Sequence, residues 1–175
     1  YFKAVSACTK HKVMLYDLAV VTQTKLTYDN VIELIKEIPN LIGIKSADLQ
    51  MFRKLKLNPD VPEDFLTVYS GLDTFDIAYK WGIDKCLDGM LSCTPKTTGK
   101  LFKAMENGDF CKAAEYLDDI TALRDLFVAC DIWPAFSTAM NLLGYEGNFA
   151  LDYTSPIKAE CAQKVKEKMI SMGEI

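Results

Sequence analysis

The chain of 175 residues has few of the side chains that metal and redox centres need. It contains one histidine, His11, and its six cysteines never form a Cys-x-x-Cys pair, so the ligand spacing of a zinc site is missing. No glycine-containing turn fits the fingerprint of a dinucleotide-binding fold or of a phosphate-binding loop. We therefore predict that the protein uses no metal and no other cofactor.

Composition also argues against two classes of partner. No apolar run approaches the roughly 20 residues that span a bilayer, which predicts no membrane association. The formal net charge is −4, and no basic stripe is interleaved with aromatic residues, so we predict no binding to nucleic acid. Scattered cysteines in a chain of this size are typical of reduced thiols, which favours a cytoplasmic location.

Apolar segments of strand length alternate with helical segments in the first hundred residues. The predicted strands cover residues 13–18, 41–45, 65–70 and, more weakly, 87–92. The predicted helices cover residues 1–12, 28–37, 48–56, 74–81 and 96–106, and Thr27 is the predicted N-cap of the second. From residue 109 onward the pattern predicts three more helices, over residues 109–130, 134–143 and 156–172, with a polar stretch that contains Gly144 and Gly147. Such alternation indicates βα units and a parallel sheet, either open and doubly wound or part of a closed (β/α)₈ barrel. Four units fall short of a whole barrel of about 250 residues, and the pattern alone does not separate the two architectures.

Lys45 ends the second predicted strand, directly after the apolar run Leu41-Ile42-Gly43-Ile44. A charge is costly in a dry core, so a lysine at this position indicates a strand end that opens onto a cleft. A lysine must be neutral to attack a carbonyl group, and partial burial lowers its pKa toward that state. Lys45 is therefore the candidate nucleophile of a Schiff-base enzyme. The ordinary alternative is a lysine that extends into solvent or pairs with Asp48.

Tyr16 ends the preceding predicted strand with a second reactive side chain. The carboxyl ends of neighbouring parallel strands meet at one edge of a sheet, which is where ligands bind in α/β folds. Tyr16 can thus serve as the acid–base that moves protons next to Lys45. A strand-end tyrosine that is hydrogen-bonded to backbone is the simpler alternative.

Polar residues follow the third and fourth strand candidates as well. Gly71 lets backbone approach a ligand and Asp73 can hold a hydroxyl group, although a loop glycine and a helix cap explain the pair equally well. Ser92 offers a further hydroxyl, which ordinary loop polarity also explains. Cys93 has no histidine partner that the sequence places beside it, so a thiol enzyme is not predicted.

Four strings occur in a defined order along the chain: Val13-Met14-Leu15-Tyr16-Asp17, Leu41-Ile42-Gly43-Ile44-Lys45-Ser46, Tyr69-Ser70-Gly71-Leu72-Asp73 and Asn107-Gly108-Asp109. In this order and spacing they resemble the dihydrodipicolinate synthase / N-acetylneuraminate lyase family of class I aldolases. The resemblance covers nearly the whole chain, which corresponds to the second half of the family's barrel and its C-terminal helices. The string that contains Lys45 is the most specific part.

The resemblance implies part of a (β/α)₈ TIM barrel. Residues 1–108 would supply barrel strands 5 to 8, and residues 109–175 a helical extension of the same domain. The loop that grips the substrate carboxylate in the family belongs to the front half of the barrel. We therefore expect the chain to be an N-terminally incomplete portion, which a missing half or a second chain would complete. Family members are commonly tetramers, so a homo-oligomer is expected.

The resemblance also implies a function, the cleavage or condensation of a carbon–carbon bond by a lyase or synthase. Lys45 would form the imine with pyruvate or another 2-keto acid, and Tyr16 would relay protons. Gly71, Asp73 and Ser92 would contact the substrate. The resemblance implies no cofactor.

Three departures from the family pattern leave other functions open. Asp17 stands where the family usually has an asparagine with a proline soon after, and the stretch 83–87 is longer than usual. The ending Ser92-Cys93-Thr94 lacks the family's common asparagine. A catalytically inactive member that binds keto or sugar acids, or acts as a scaffold, is the second hypothesis. An open-sheet α/β module unrelated to aldolases is the third.

Overall fold

Parallel strands and short helices make up the first half of the chain, and helices alone make up the second. The computed structural model describes residues 1–175, which cluster into two units, 1–87 and 88–175. The division into barrel residues 1–108 and a helical extension of residues 109–175 stays a prediction.

The sheet of the first unit contains three of the predicted strands. These are β1 (Val13–Tyr16), β2 (Leu41–Ser46) and β3 (Leu66–Tyr69). They pair in the order β1-β2-β3, and both pairs are parallel. The register sets Lys45 opposite Tyr16 on one side and opposite Val68 on the other. The parallel pairing confirms the βα units that the alternating pattern predicts.

The first unit also contains five helices and one short turn: α1 (Phe2–Ala7), α2 (Ala19–Thr22), α3 (Tyr28–Glu37), α4 (Leu49–Leu57), the 3₁₀ turn Leu72–Thr74 and α5 (Phe75–Lys80). The predicted cap of α3 is present as a reciprocal pair, because Thr27 accepts from the Asn30 amide and Asn30 accepts from the Thr27 amide. Asp48 caps α4 by accepting from the Met51 amide at 2.8 Å.

Side chains alternate between a covered and an open face of this sheet. Leu15, Ile44 and Tyr69 are buried, whereas Met14 and Tyr16 on β1 remain 42% and 47% exposed. The ring of Phe52 on α4 meets Tyr69 edge to face at 6.3 Å. The buried core of the unit includes Val31, Ile38, Phe52, Leu55, Leu72, Phe75, Ala78 and Ile83.

The fourth predicted strand, over residues 87–92, is wrong. In its place the chain makes one parallel bridge at Cys86, where the Tyr69 amide donates to the Lys85 carbonyl at 2.7 Å and the Leu87 amide to the Tyr69 carbonyl at 2.9 Å. The chain then turns into a helix, because the Asp88 carboxylate accepts from the Met90 amide at 2.9 Å. Side chains that hydrogen-bond the backbone locally compete with strand pairing in this way.

Helices are the regular elements of the second unit, as predicted from residue 109 onward. Its helices are α6 (Met90–Cys93), α7 (Pro95–Glu106), α8 (Phe110–Ala129), α9 (Ile132–Leu142) and α10 (Ala159–Met172). Gly108 adopts a φ of +75° after α7, and Asp109 then caps α8 through the Lys112 amide at 3.0 Å. Fully buried side chains from three of these helices form its core: Leu101, Ile120, Leu123, Phe127, Val165 and Met169. No helix combines the length and the apolarity that crossing a bilayer would take.

A buried carboxylate holds the start of α7. Glu174 is only 2% exposed, and its two oxygens accept from the backbone amides of Lys96 at 3.0 Å and Thr97 at 2.6 Å. The first amides of a helix have no partner within the helix, and the helix dipole favours negative charge there. Glu174 therefore acts as a helix cap supplied from 77 to 78 residues further along the chain.

Candidate active site

Lys45 and Tyr16 lie side by side on the open face of the sheet. Because their backbones are directly paired, both side chains leave the sheet on the same side. The Nζ atom of Lys45 sits over the ring of Tyr16, 4.2 Å from its centroid. This is a cation–π contact, which attracts any positive charge held at that nitrogen. The structure thus brings the two residues together, as their strand-end positions predict.

An apolar floor surrounds this pair on the same sheet face. Gly43 precedes Lys45 by two residues, and a Cβ atom placed there would lie 2.5 Å from the Leu66 carbonyl oxygen and 3.1 Å from the Met14 side chain. Only a glycine allows the side chains of Leu66 and Met14 to approach β2 so closely. Val68, opposite Lys45, continues this floor along β3. The sheet face on which Lys45 lies is therefore largely hydrocarbon.

Asp17 connects the two strands directly behind the candidate residues. Its carboxylate accepts from the Ser46 hydroxyl at 2.8 Å and from the Leu26 amide at 3.1 Å. Its own amide donates to the Lys45 carbonyl at 2.9 Å. Since Asp17 follows Tyr16 and Ser46 follows Lys45, these bonds fix the backbone just beyond both side chains. Asp17, which stands where the family usually has an asparagine, thus uses its carboxylate to accept two hydrogen bonds.

Ser46 is also hydrogen-bonded to Asp48, the second carboxylate residue near the strand ends. Its hydroxyl oxygen accepts from the Asp48 amide at 3.0 Å, and Asp48 pairs with the Lys25 ammonium at 2.5 Å. Burial pushes the pKa of Asp48 upward, but hydrogen bonds from Lys25 and the Met51 amide outweigh it and leave that pKa below 3.8. The hydrogen bond and the charge of Asp48 raise the pKa of Lys25. Asp48 therefore pairs with Lys25, rather than with Lys45 as the alternative assignment holds.

The Asp17–Ser46 connection was not among the predicted site residues. Both residues belong to the strings that carry the family resemblance, and Asp17 stands out in the sequence as a departure from the family pattern. The Leu26 amide, which donates to Asp17, lies nine residues further on in a loop, so no periodic sequence pattern predicts this hydrogen bond.

Gly71 follows β3 as predicted, and the structure gives a packing reason for it. A Cβ atom at this position would lie 2.5 Å from the Tyr69 hydroxyl oxygen, which is itself 2.7 Å from the Thr74 hydroxyl. Asp73 is exposed within the 3₁₀ turn, and Thr74 occupies the N-cap position of α5. The substrate contacts of both residues stay predictions.

Ser92 lies in the second unit, within α6 rather than at the end of a strand. Its side chain is exposed, and its amide donates to the Gly89 carbonyl at 3.1 Å. The neighbouring Cys93 is fully buried, and burial followed by the charge of Glu174 raises the pKa of its thiol to about 12. A thiol with this pKa is a poor nucleophile, which supports leaving Cys93 out of the site.

A comparison with known proteins adds a second line of observation. The model of the dihydrodipicolinate synthetase family matches residues 1–171. The chain belongs to this family. It is 31% identical to 4-hydroxy-tetrahydrodipicolinate synthase of Bacillus subtilis over 153 residues, which cover 83% of this chain and 50% of that protein. It is 22% identical to N-acetylneuraminate lyase of Lactiplantibacillus plantarum over 172 residues, which cover 96% of this chain and 58% of that protein.

Solved structures of the family share this fold. YagE from E. coli K12, which belongs to the dihydrodipicolinic acid synthase family and was crystallised with pyruvate, matches with a TM-score of 0.80 at 21% identity. The match covers all of this chain and 60% of YagE. The chain spans about half the length of the curated relatives it matches. Its three-stranded parallel sheet and helices are consistent with a partial TIM barrel, as the family resemblance implies.

Proposed function

We propose that the complete protein is an aldolase-type lyase or synthase in which Lys45 forms a Schiff base with pyruvate or a related 2-keto acid. The observation that carries the proposal is the placement of the Lys45 amine 4.2 Å from the Tyr16 ring centroid, on neighbouring parallel strands. Membership of the family and the pyruvate bound to YagE support the same substrate class.

The first step assigned to Lys45 is attack of its neutral amine on the keto carbon. The carbonyl oxygen takes up a proton to give a carbinolamine, and loss of water then leaves a positively charged imine. The Tyr16 hydroxyl is the group we assign to these proton transfers. The Tyr16 ring also lies where it would attract the positive charge of the imine once that has formed.

Asp17 and Ser46 would hold this pair in register during the reaction. Alignment of reacting groups accounts for a large share of enzymatic rate enhancement, and misplacement by about 1 Å can lower a rate by about 10²-fold. The bonds at 2.8 and 2.9 Å from Asp17 connect the backbones that follow Tyr16 and Lys45. Gly71, Asp73 and Ser92 remain the residues that we propose for contact with the rest of the substrate.

The open sheet face supports a further part of the proposal. Met14 and Tyr16 are nearly half exposed here, and β1 has a strand partner on one side only. An apolar strand face and an unpaired edge normally lie against other polypeptide. We propose that the rest of a barrel covers them in the complete protein, and that this protein forms a homo-oligomer, with a tetramer as the first expectation.

Trapping with borohydride tests the central step on the complete protein. Incubation with pyruvate and borohydride should add one reduced pyruvyl group per chain, and peptide mapping should find it on Lys45. The Lys45→Arg variant keeps a positive charge over Tyr16 but offers no neutral amine, so it should not be labelled. Lys54→Arg is the matched control, because Lys54 also lies over a tyrosine ring, at 5.7 Å from the Tyr28 centroid.

The outcomes separate the proposed functions. Labelling that persists in Lys45→Arg would overturn the assignment of the nucleophile. Stabilisation by pyruvate or a sugar acid without any labelling or carbon–carbon cleavage would favour the non-catalytic binding protein instead.

A further inference from the structure

Cys130 and Cys161 lie at two helix ends that meet in the second unit. Cys130 is the residue at which α8 ends, and Cys161 lies in the first turn of α10. Asp131 turns the chain sharply after Cys130 with a φ of +73°. Further along the same two helices, Asp119 and Lys168 form an ion pair at 2.8 Å. The two helices thus run antiparallel, with this ion pair on one side of the cysteines.

Cys130 and Cys161 line one surface cavity of about 300 Å³, together with Asp131 and Lys158. Each cysteine is partly exposed and neither is in a disulfide. A small reagent can therefore reach both sulfur atoms from the same side. Cys93, by contrast, is fully buried in the same unit.

Lys164 lies three residues after Cys161 in α10, on the same side of the helix. Lys164 pairs with Glu160 at 2.5 Å, and its pKa is raised by that hydrogen bond and charge, with smaller contributions from Cys161 and Cys130. Burial and then the Cys161 thiol raise the pKa of Cys130, while Lys164 acts in the opposite direction. Lys164 therefore offsets only part of the effect of burial on the pKa of Cys130.

We propose that Cys130 and Cys161 form a reversible thiol–disulfide pair that responds to peroxides or to small disulfides. With hydrogen peroxide, a thiolate attacks one oxygen and becomes a sulfenic acid as the first water leaves. The second thiol then displaces the second water and forms the S–S bond, so two thiols and one peroxide give one disulfide and two waters. With oxidised glutathione, two exchange steps release two molecules of reduced glutathione.

The new bond would tie the end of α8 to the start of α10 and close the segment 131–160 into a covalent loop. A disulfide stabilises mainly by restricting the unfolded chain, and this effect grows with the length of the loop that the bond closes. Oxidation should therefore raise the melting temperature of the chain by several degrees. Reduction with dithiothreitol should return it to the starting value.

Intact mass and peptide mapping test the pair without reference to catalysis. After treatment of the chain with hydrogen peroxide or oxidised glutathione, we expect the loss of two hydrogens and a linked peptide pair that contains Cys130 and Cys161. Cys130→Ser and Cys161→Ser should each abolish the linkage and the rise in melting temperature. Cys8→Ser and Cys111→Ser are matched controls at exposed cysteines, and both variants should keep the linkage.

Three results would overturn the proposal. One is separate glutathione adducts on Cys130 and Cys161 with no linked peptide. Another is oxidation of both sulfurs to sulfinic acid before any linkage forms. The third is a rise in melting temperature on oxidation that persists in Cys130→Ser. The wild-type peptide map decides the question even if a serine variant folds poorly, and its failure would leave the assignment of Lys45 untouched.

Discussion

Two pairs of ionisable side chains, one pair in each unit, differ in how far solvent reaches them. In the first unit, Lys45 and Tyr16 stand on an open sheet face, and Tyr16 is 47% exposed. In the second unit, Glu174 and Cys93 are almost completely buried, and both oxygens of Glu174 accept backbone hydrogen bonds. A group can react with a substrate only where the substrate can reach it. Accessibility together with a neighbouring acid–base thus separates the candidate nucleophile from groups that hold the fold.

Tyr16→Phe should give the largest effect among the changes that sharpen this contrast. The variant keeps the ring under Lys45 and removes only the hydroxyl group. If Tyr16 transfers protons, kcat of the complete enzyme should fall by roughly 10²- to 10⁴-fold with little change in the unfolding free energy. Steady-state kinetics and urea unfolding measure the two quantities. Full activity in Tyr16→Phe would remove Tyr16 from the mechanism and leave it as a packing residue.

Glu174→Ala should show the reverse pattern in the second unit, with stability lost rather than chemistry. Two amides at the start of α7 would lose their acceptor, which should lower the free energy of unfolding by roughly 2–4 kcal/mol. Glu174→Gln is the matched control, because its amide oxygen can still accept one of the bonds, and it should lose less. Urea unfolding compares the variants, and equal stability of all three chains would show that water replaces the carboxylate.

Asp17→Ala should affect both stability and alignment in the first unit. Removing the carboxylate leaves the Leu26 amide and the Ser46 hydroxyl without their acceptor, which should lower the unfolding free energy by about 1–2 kcal/mol. In Asp17→Asn, the amide oxygen can accept from Leu26 and the amide nitrogen can donate to Ser46, so we expect less than half of that loss. Denaturant unfolding and borohydride trapping measure the two effects. A more severe loss in Asp17→Asn than in Asp17→Ala would contradict the assigned bonds.

Lys25→Met should give the smallest effect and one that depends on pH. The pKa of Asp48 in the folded chain lies below its ordinary value of 3.8, so the folded state binds that proton less tightly than the unfolded chain. The stabilisation is therefore present above about pH 4 and is lost as the pH falls through the folded pKa. Because the Lys25 side chain is 56% exposed, we expect less than about 1 kcal/mol at pH 7. Unfolding of wild type and Lys25→Met from pH 3 to 7 should show their difference shrink toward the acid end.

The parts that the sequence predicts well are those with a local cause. Apolar runs of four to six residues give β1, β2 and β3, and parallel pairing then brings their carboxyl ends to one edge. The meeting of Tyr16 and Lys45 follows from that geometry. The N-cap of α3 is correct because Thr27 and Asn30 lie three residues apart.

The parts that it misses depend on distant residues or on competing local bonds. Residues 87–92 have the composition of a strand, but the Asp88 side chain bonds the Met90 amide and favours a helical turn. Glu174 reaches α7 from a position more than 70 residues away, and Cys130 and Cys161 line one cavity only because two helices pack together. Nothing in local spacing indicates either contact.

The hydrogen bond from the Leu26 amide to Asp17 offers a way to watch the candidate site before its substrate is known. An amide held by a carboxylate exchanges its proton with solvent only when that bond opens. The exchange rate at Leu26 would therefore report, in solution and without turnover, how often the segment behind Tyr16 loosens. A small molecule that settles between Tyr16 and Lys45 could then be recognised by the protection it brings to an atom that it never touches.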